Sequence, residues 1–119
     1  MAGVLLAGTG AWIGAQECAV TVPEWAPRGS ANTARPRISA TLTSTCGSAI
    51  DLASVRMTVD KQVVTPTTDG TGAAVTVIYV PTSALLEEAD HTVTVRAQDE
   101  KGVAGEWTWT FHVPDTYLR

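Results

Sequence analysis

Residues 91–113, HTVTVRAQDEKGVAGEWTWTFHV, constrain this chain more than any other stretch. Val93, Val95 and Ala97 alternate with Thr92, Thr94 and Arg96, and Trp107, Trp109, Phe111 and Val113 alternate with Thr108, Thr110 and His112. A period of two places successive side chains on opposite faces of a strand, so each arm reads as a half-buried strand with its apolar set turned inward. Between the arms lie acidic residues, a lysine and two glycines, which is the chemistry of a reversing loop. The unit predicted is a long hairpin, with Val93, Val95, Trp107, Trp109 and Phe111 as its core face.

The same periodicity recurs upstream. Ile38, Ala40 and Leu42 alternate with Ser39, Thr41 and Thr43. Val55, Met57 and Val59 alternate with Arg56, Thr58 and Asp60, then turn at Asp60-Lys61 and continue through Val63-Val64. After the polar run TPTTDGTG a further strand is predicted over 73–80, stopped by Pro81. The run TSALLEEAD allows less than two turns and is predicted as a short helical crossover, with Thr82 or Ser83 as its cap. Strand starts near 38, 55, 73, 91 and 106, with turn chemistry between them, predict an all-β antiparallel sandwich over 38–114; a small barrel is the alternative closure.

Residues 1–37 keep no sustained period and hold three of the six prolines. They read as an extended N-terminal arm and linker, and 115–119 as a short C-terminal tail. The opening lacks the positive flank of a secretion signal, and Gly8, Gly10 and Gly14 interrupt its apolar run. Val4, Leu5, Leu6, Trp12, Ile13 and Trp25 are too apolar as a group to leave in water. The arm is therefore expected to lie on its own domain or on a neighbouring subunit, with a first strand and loop packed on the same chain as the other reading. Aromatic and aliphatic anchors concentrate at interfaces, so Leu5, Leu6, Trp12, Ile13 and Trp25 are the candidate interface residues.

Charge narrows the function classes. Residues 1–37 carry three arginines against two glutamates, whereas 38–119 carry five basic against ten acidic side chains. An acidic domain without a basic stripe is a poor nucleic-acid binder. No run of eighteen apolar residues is long enough to span a membrane. Cys18 and Cys46 are the only thiols: in an oxidising space they would staple the arm to the sandwich, and in a reducing one they would stay free. Neither has a Cys or His at metal-ligand spacing, and no metal or cofactor is predicted.

No catalytic constellation emerges. His91 and His112 lie on a strand with no nucleophile placed by motif, and Glu87, Glu88 and Asp90 read as a solvated face of the crossover. GTGAWIG lacks the lysine and the helix of a phosphate loop. An exposed row of tryptophans would make a carbohydrate platform conceivable, but the alternation assigns Trp107 and Trp109 to the core.

Val59-Asp60, Tyr79 to Pro81, Leu85, the run HTVTV, the turn DEKG and the final WTF together resemble the bacterial immunoglobulin-like domains that are repeated in large surface proteins and appended to phage structural proteins. The likeness covers residues 37–114. Lys61 stands where that family usually has glycine, and Val103 where it often has asparagine. Some related domains bind calcium through acidic turn residues, but Asp99 and Glu100 fall short of the ~6–8 oxygens such a site needs. The resemblance implies an immunoglobulin-like fold and a non-enzymatic role. The expectation is a virion head or tail accessory or decoration protein, whose partners are other protein subunits in a capsid, a tail or a surface-layer-like assembly. The alternative is a secreted or cell-surface module for adhesion or carbohydrate binding.

Overall fold

A computed structural model describes residues 18–114. The described chain is all-β: strands β1 (Val20–Ala26), β2 (Gly29–Ser30), β3 (Ile38–Ser44), β4 (Arg56–Val59), β5 (Gln62–Val64), β6 (Thr67–Asp69), β7 (Ala74–Tyr79), β8 (Ala89–Gln98) and β9 (Ala104–Val113), with one 3-10 turn at Leu52–Ser54. They form two sheets, one ordered β1-β3-β7-β6 and the other β2-β9-β8-β4-β5. All pairings are antiparallel except β2 with β9, which is parallel.

The inward residues are those the alternation selects. Ile38, Ala40 and Leu42 of β3 and Val75 and Val77 of β7 face Met57, Val59, Val93, Val95, Trp109, Phe111 and Val113 from the other sheet, all essentially buried. Burying a Val, Leu or Phe side chain contributes about 1.5–3 kcal/mol, so this layer carries the stability of the domain. The predicted hairpin is β8 with β9, in continuous register from Ala104 opposite Gln98 to Val113 opposite Ala89. Its tip is organised by Asp99, which is buried. One carboxylate oxygen accepts from the backbone N–H groups of Lys101 and Val103, each at 2.9 Å, and the other lies 3.5 Å from the Ser44 hydroxyl on the facing sheet. That carboxylate is therefore spent on the turn. Asp60 and Lys61 both take positive φ, 53° and 71°, and join β4 to β5 as a two-residue hairpin loop. This is the turn that matches strand twist and normally favours glycine, and Lys61 adopts it nevertheless.

Three expectations need correction. The boundary at residue 37 is wrong for the second half of that segment: Val20–Ala26 and Gly29–Ser30 are strands of the two sheets, and Val20, Val22 and Ala31 belong to the core. Pro23, Pro27 and a register shift between Thr21 and Glu24 hide these strands from any periodicity reading. β1 also runs so close to β9 that a Cβ at Gly105 would collide with the Val20 carbonyl. The crossover after Pro81 contains no helix; it carries a bend with Glu88 at φ 56° and is fastened by bonds from Leu85 N–H to Ala34 O (2.8 Å) and from Arg35 Nε to Pro81 O (3.1 Å). Trp107 is not a core residue, being 37% exposed. Alternation gives it the inward face, but it sits at the seam beside β1, against Trp25, and keeps part of its surface in solvent.

Candidate functional site: a histidine clasp and an aromatic seam

Two clusters concentrate the polar and aromatic chemistry of the described residues. In the first, the odd-numbered face of β8 that buries Val93 and Val95 also buries His91, at 4% exposure. The β4–β5 turn brings Asp60 beneath it. His91 Nδ1 donates to Asp60 Oδ2 at 2.6 Å and Nε2 donates to the Leu86 carbonyl at 2.8 Å. Thr92 N–H donates to Asp60 Oδ1 (2.9 Å) and Asp60 N–H to the Thr92 carbonyl (2.8 Å), so turn and strand are doubly locked.

Both partners of the imidazole are acceptors only. A neutral ring has one N–H, which would leave its other nitrogen facing an oxygen lone pair; the imidazolium satisfies both. Burial by itself would push the His91 pKa down. The hydrogen bonds to Asp60 and Leu86 and the charges of Asp60 and Asp90 outweigh it and hold the pKa above its ordinary 6.5. With both nitrogens committed, His91 has none with which to take a proton from a nucleophile, so the His–Asp pair works as a clasp between turn, strand and crossover. His112 faces outward, with Nδ1 2.9 Å from Asp90 Oδ1 and Nε2 3.9 Å from Glu88 Oε2. All three side chains are well exposed, and such pairs contribute little.

The second cluster lies at the open seam between β1 and β9. The Trp25 and Trp107 rings are tilted against each other with centroids 4.8 Å apart, and the Arg28 guanidinium sits 3.8 Å from the Trp25 ring centroid. Arg28 also donates from Nε to the Trp25 carbonyl at 3.3 Å. Trp25, half-buried, thus packs on its own domain while Trp107 keeps much of its surface in solvent. Of the other candidate interface residues, Leu5, Leu6, Trp12 and Ile13 lie outside the described residues, as do Tyr117 and Leu118 of the tail.

Cys18 and Cys46 form a disulfide, with Cα atoms 5.2 Å apart, which ties the start of β1 to the loop after β3. Ala19 and Thr45 add two hydrogen bonds beside it. Among the described residues no group of three or more His, Cys, Asp or Glu side chains could hold a metal ion, and no helix is long and apolar enough to cross a membrane.

Of these two clusters the sequence singles out Trp25 as a contact residue and Trp107 as core, and it gives His91, Asp60 and Arg28 no role in a site. The parity of His91 with Val93 already put it on the inner face. Nothing in the sequence joined it to Asp60, 31 positions away. No protein-family model matches this chain, and no curated protein matches it.

Proposed function

We propose that this chain is a non-enzymatic structural and interaction protein: an immunoglobulin-like module held in a larger assembly by its N-terminal arm, as a virion head or tail accessory or decoration protein. The observation that carries the reading is the seam. An aromatic pair capped by Arg28 is left partly exposed on the flank formed by β1, the strand that directly follows the apolar stretch containing Leu5, Leu6, Trp12 and Ile13. Tryptophan and arginine are the residue types that dominate binding energy at protein interfaces, where they pack in desolvated pockets. A flank of this kind suits another protein subunit better than it suits bulk water.

The immunoglobulin-like part of the reading is supported by strand order. Taken in sequence, β1-β3-β7-β6 corresponds to the A, B, E and D strands, and β9-β8-β4-β5 to the G, F, C and C′ strands, of such sandwiches. β2, parallel to β9, continues the first strand after it switches sheets.

A second reading is favoured by the Cys18–Cys46 disulfide. Disulfides persist where the surroundings are oxidising, which suits a secreted or cell-surface adhesion module. Fractionation of the native source separates the two. Recovery of the chain with sedimenting virus-like particles, with residues 1–17 intact by mass spectrometry, supports the assembly reading. Recovery with the envelope or the medium, with those residues removed, supports the surface module.

A further inference from the structure

The outer face of the five-stranded sheet carries an arrangement that neither packing nor the seam uses. Arg56 of β4 and Arg96 of β8 are directly opposite each other in register. Like charges in that position repel, and side chains so placed are only ~5 Å apart at Cβ. Neither arginine makes an ion pair among the described residues, although the domain is acidic overall. Arg56 is fixed in place: its Nη1 donates to the carbonyls of Ala53 (2.8 Å) and Val55 (2.9 Å), and its Nε and Nη2 have no acceptor among the described residues. Arg96 has no acceptor among the described residues. The two border an open cleft of about 430 Å³, floored by Ser54 and Gln98. Asp51 lines the same cleft but spends Oδ1 on the Ala53 N–H, and Glu106 stands opposite Arg96 on β9 without reaching it.

We propose that the Arg56–Arg96 cleft is an oxyanion site that takes the charged group of an acidic polysaccharide. Guanidinium groups on adjacent strands, opposite each other in register and lining one cleft, suit the oxygens of a carboxylate or a sulfate ester, which arginine binds in bidentate fashion. The surface next to the cleft identifies the rest of the ligand. The next rank across the sheet is Thr58, Thr94 and Thr108, and the one beyond holds Thr92 and Thr110. Thr94 and Thr108 are hydrogen-bonded through their hydroxyls at 2.9 Å, and Thr92 and Thr110 at 3.2 Å. Each hydroxyl has one hydrogen and two lone pairs, so these pairs keep unused acceptor positions at the surface. A hydroxyl-lined plane leading from a cationic cleft fits a polyhydroxylated anionic chain. The net charge of −4 opposes any polyanion at long range, so the affinity of the site rests on the local Arg56–Arg96 pair. The site is independent of the seam and of what the seam contacts.

The test is a heteronuclear NMR titration of the full chain at fixed ionic strength, following the Arg56 and Arg96 Nε–H signals and the Ser54 and Gln98 amides. The probes are an oligogalacturonate hexamer, a heparin-derived hexasaccharide, neutral maltohexaose and a polyglutamate peptide. The expected result is saturable shifts with one or both acidic oligosaccharides and none with maltohexaose. Whichever of the two binds more tightly assigns the charged group as carboxylate or as sulfate. Arg96→Gln, a change at an exposed position, weakens binding about tenfold, on the scale of one lost charge-assisted hydrogen bond. Arg96→Lys keeps the charge, loses the fork and also weakens it, whereas Glu106→Gln strengthens it. The proposal is overturned if neither acidic oligosaccharide gives a saturable shift, if the shifts survive Arg96→Gln, or if polyglutamate binds as tightly as the oligosaccharides.

Discussion

His91 Nδ1 lies 2.6 Å from Asp60 Oδ2, while Nε2 of the same ring lies 2.8 Å from the Leu86 carbonyl oxygen. A largely buried imidazole held between two acceptors is stabilised in its protonated form, and that stabilisation belongs to the folded state.

Stability should therefore depend on pH with a definite sign. Because the folded pKa of His91 is raised, its contribution is fully present below the unfolded value of about 6.5 and is lost as pH rises through the folded value. Denaturant unfolding in a His112→Gln background, which leaves one histidine, should show stability falling across that window. Asp60→Asn keeps a residue that tolerates the positive φ but removes the charge. It should lower the His91 pKa by NMR, flatten the pH profile and cost about 1–2 kcal/mol at pH 6, modest because Asp60 is 43% exposed. A profile that rises or stays flat over the window would remove the imidazolium from the account.

The two tryptophans of β9 should behave differently although they share a face. Trp109→Ala is a buried large-to-small change and should cost about 3–5 kcal/mol, out of the ~5–15 kcal/mol typical of a small domain. Trp109→Phe should cost about 1–2 kcal/mol, because the indole Nε1 has no hydrogen-bond partner to lose among the described residues. Trp107→Ala, at the exposed seam, should cost below about 1.5 kcal/mol. Equal losses at the two positions, measured by chemical denaturation, would mean that the seam is part of the core.

The disulfide should stabilise chiefly by restricting the unfolded chain. Closing a loop over a separation of 28 residues corresponds to about 3.5 kcal/mol at 25 °C in the chain-entropy description. A Cys18→Ser, Cys46→Ser double variant should lose about that amount while keeping its β-sheet circular dichroism, since the described strands pair without the bridge. A loss below about 1 kcal/mol would indicate that β1 is fastened by its sheet pairing alone.

These contrasts mark what was legible in the sequence. The alternation of β3, β4, β8 and β9 named most of the core, because a strict period of two survives only where one face is buried. The same rule misjudged Trp107: alternation assigns a face, but Trp107 lies at the seam with β1, where that face is only partly covered. β1 could be read only as an alternative to an extended arm, because Pro23 and the register shift beside it break the period, although Val20 and Val22 are buried. β6 escaped notice because all three of its residues are exposed and polar, so it leaves no hydropathy signal. The run TSALLEEAD reads as a short helical crossover because Thr82 or Ser83 could cap it and Leu85-Leu86 could face inward. Instead the Leu86 carbonyl is turned to His91 and Glu88 bends the chain, and no local propensity reports a bond whose value comes from a charge on another strand.

The central claim is that residues preceding the sandwich fasten it to other subunits. The most direct measurement replaces Leu5, Leu6, Trp12 and Ile13 with serine in the full chain and compares its incorporation into the native assembly with that of the unmodified chain by sedimentation. The account predicts that the unmodified chain travels with the assembly, while the variant, with unchanged circular dichroism and thermal midpoint, remains in the slow fraction expected of a 12.5 kDa monomer. Equal incorporation of the two chains, or an unmodified chain found only as a free monomer, would contradict it.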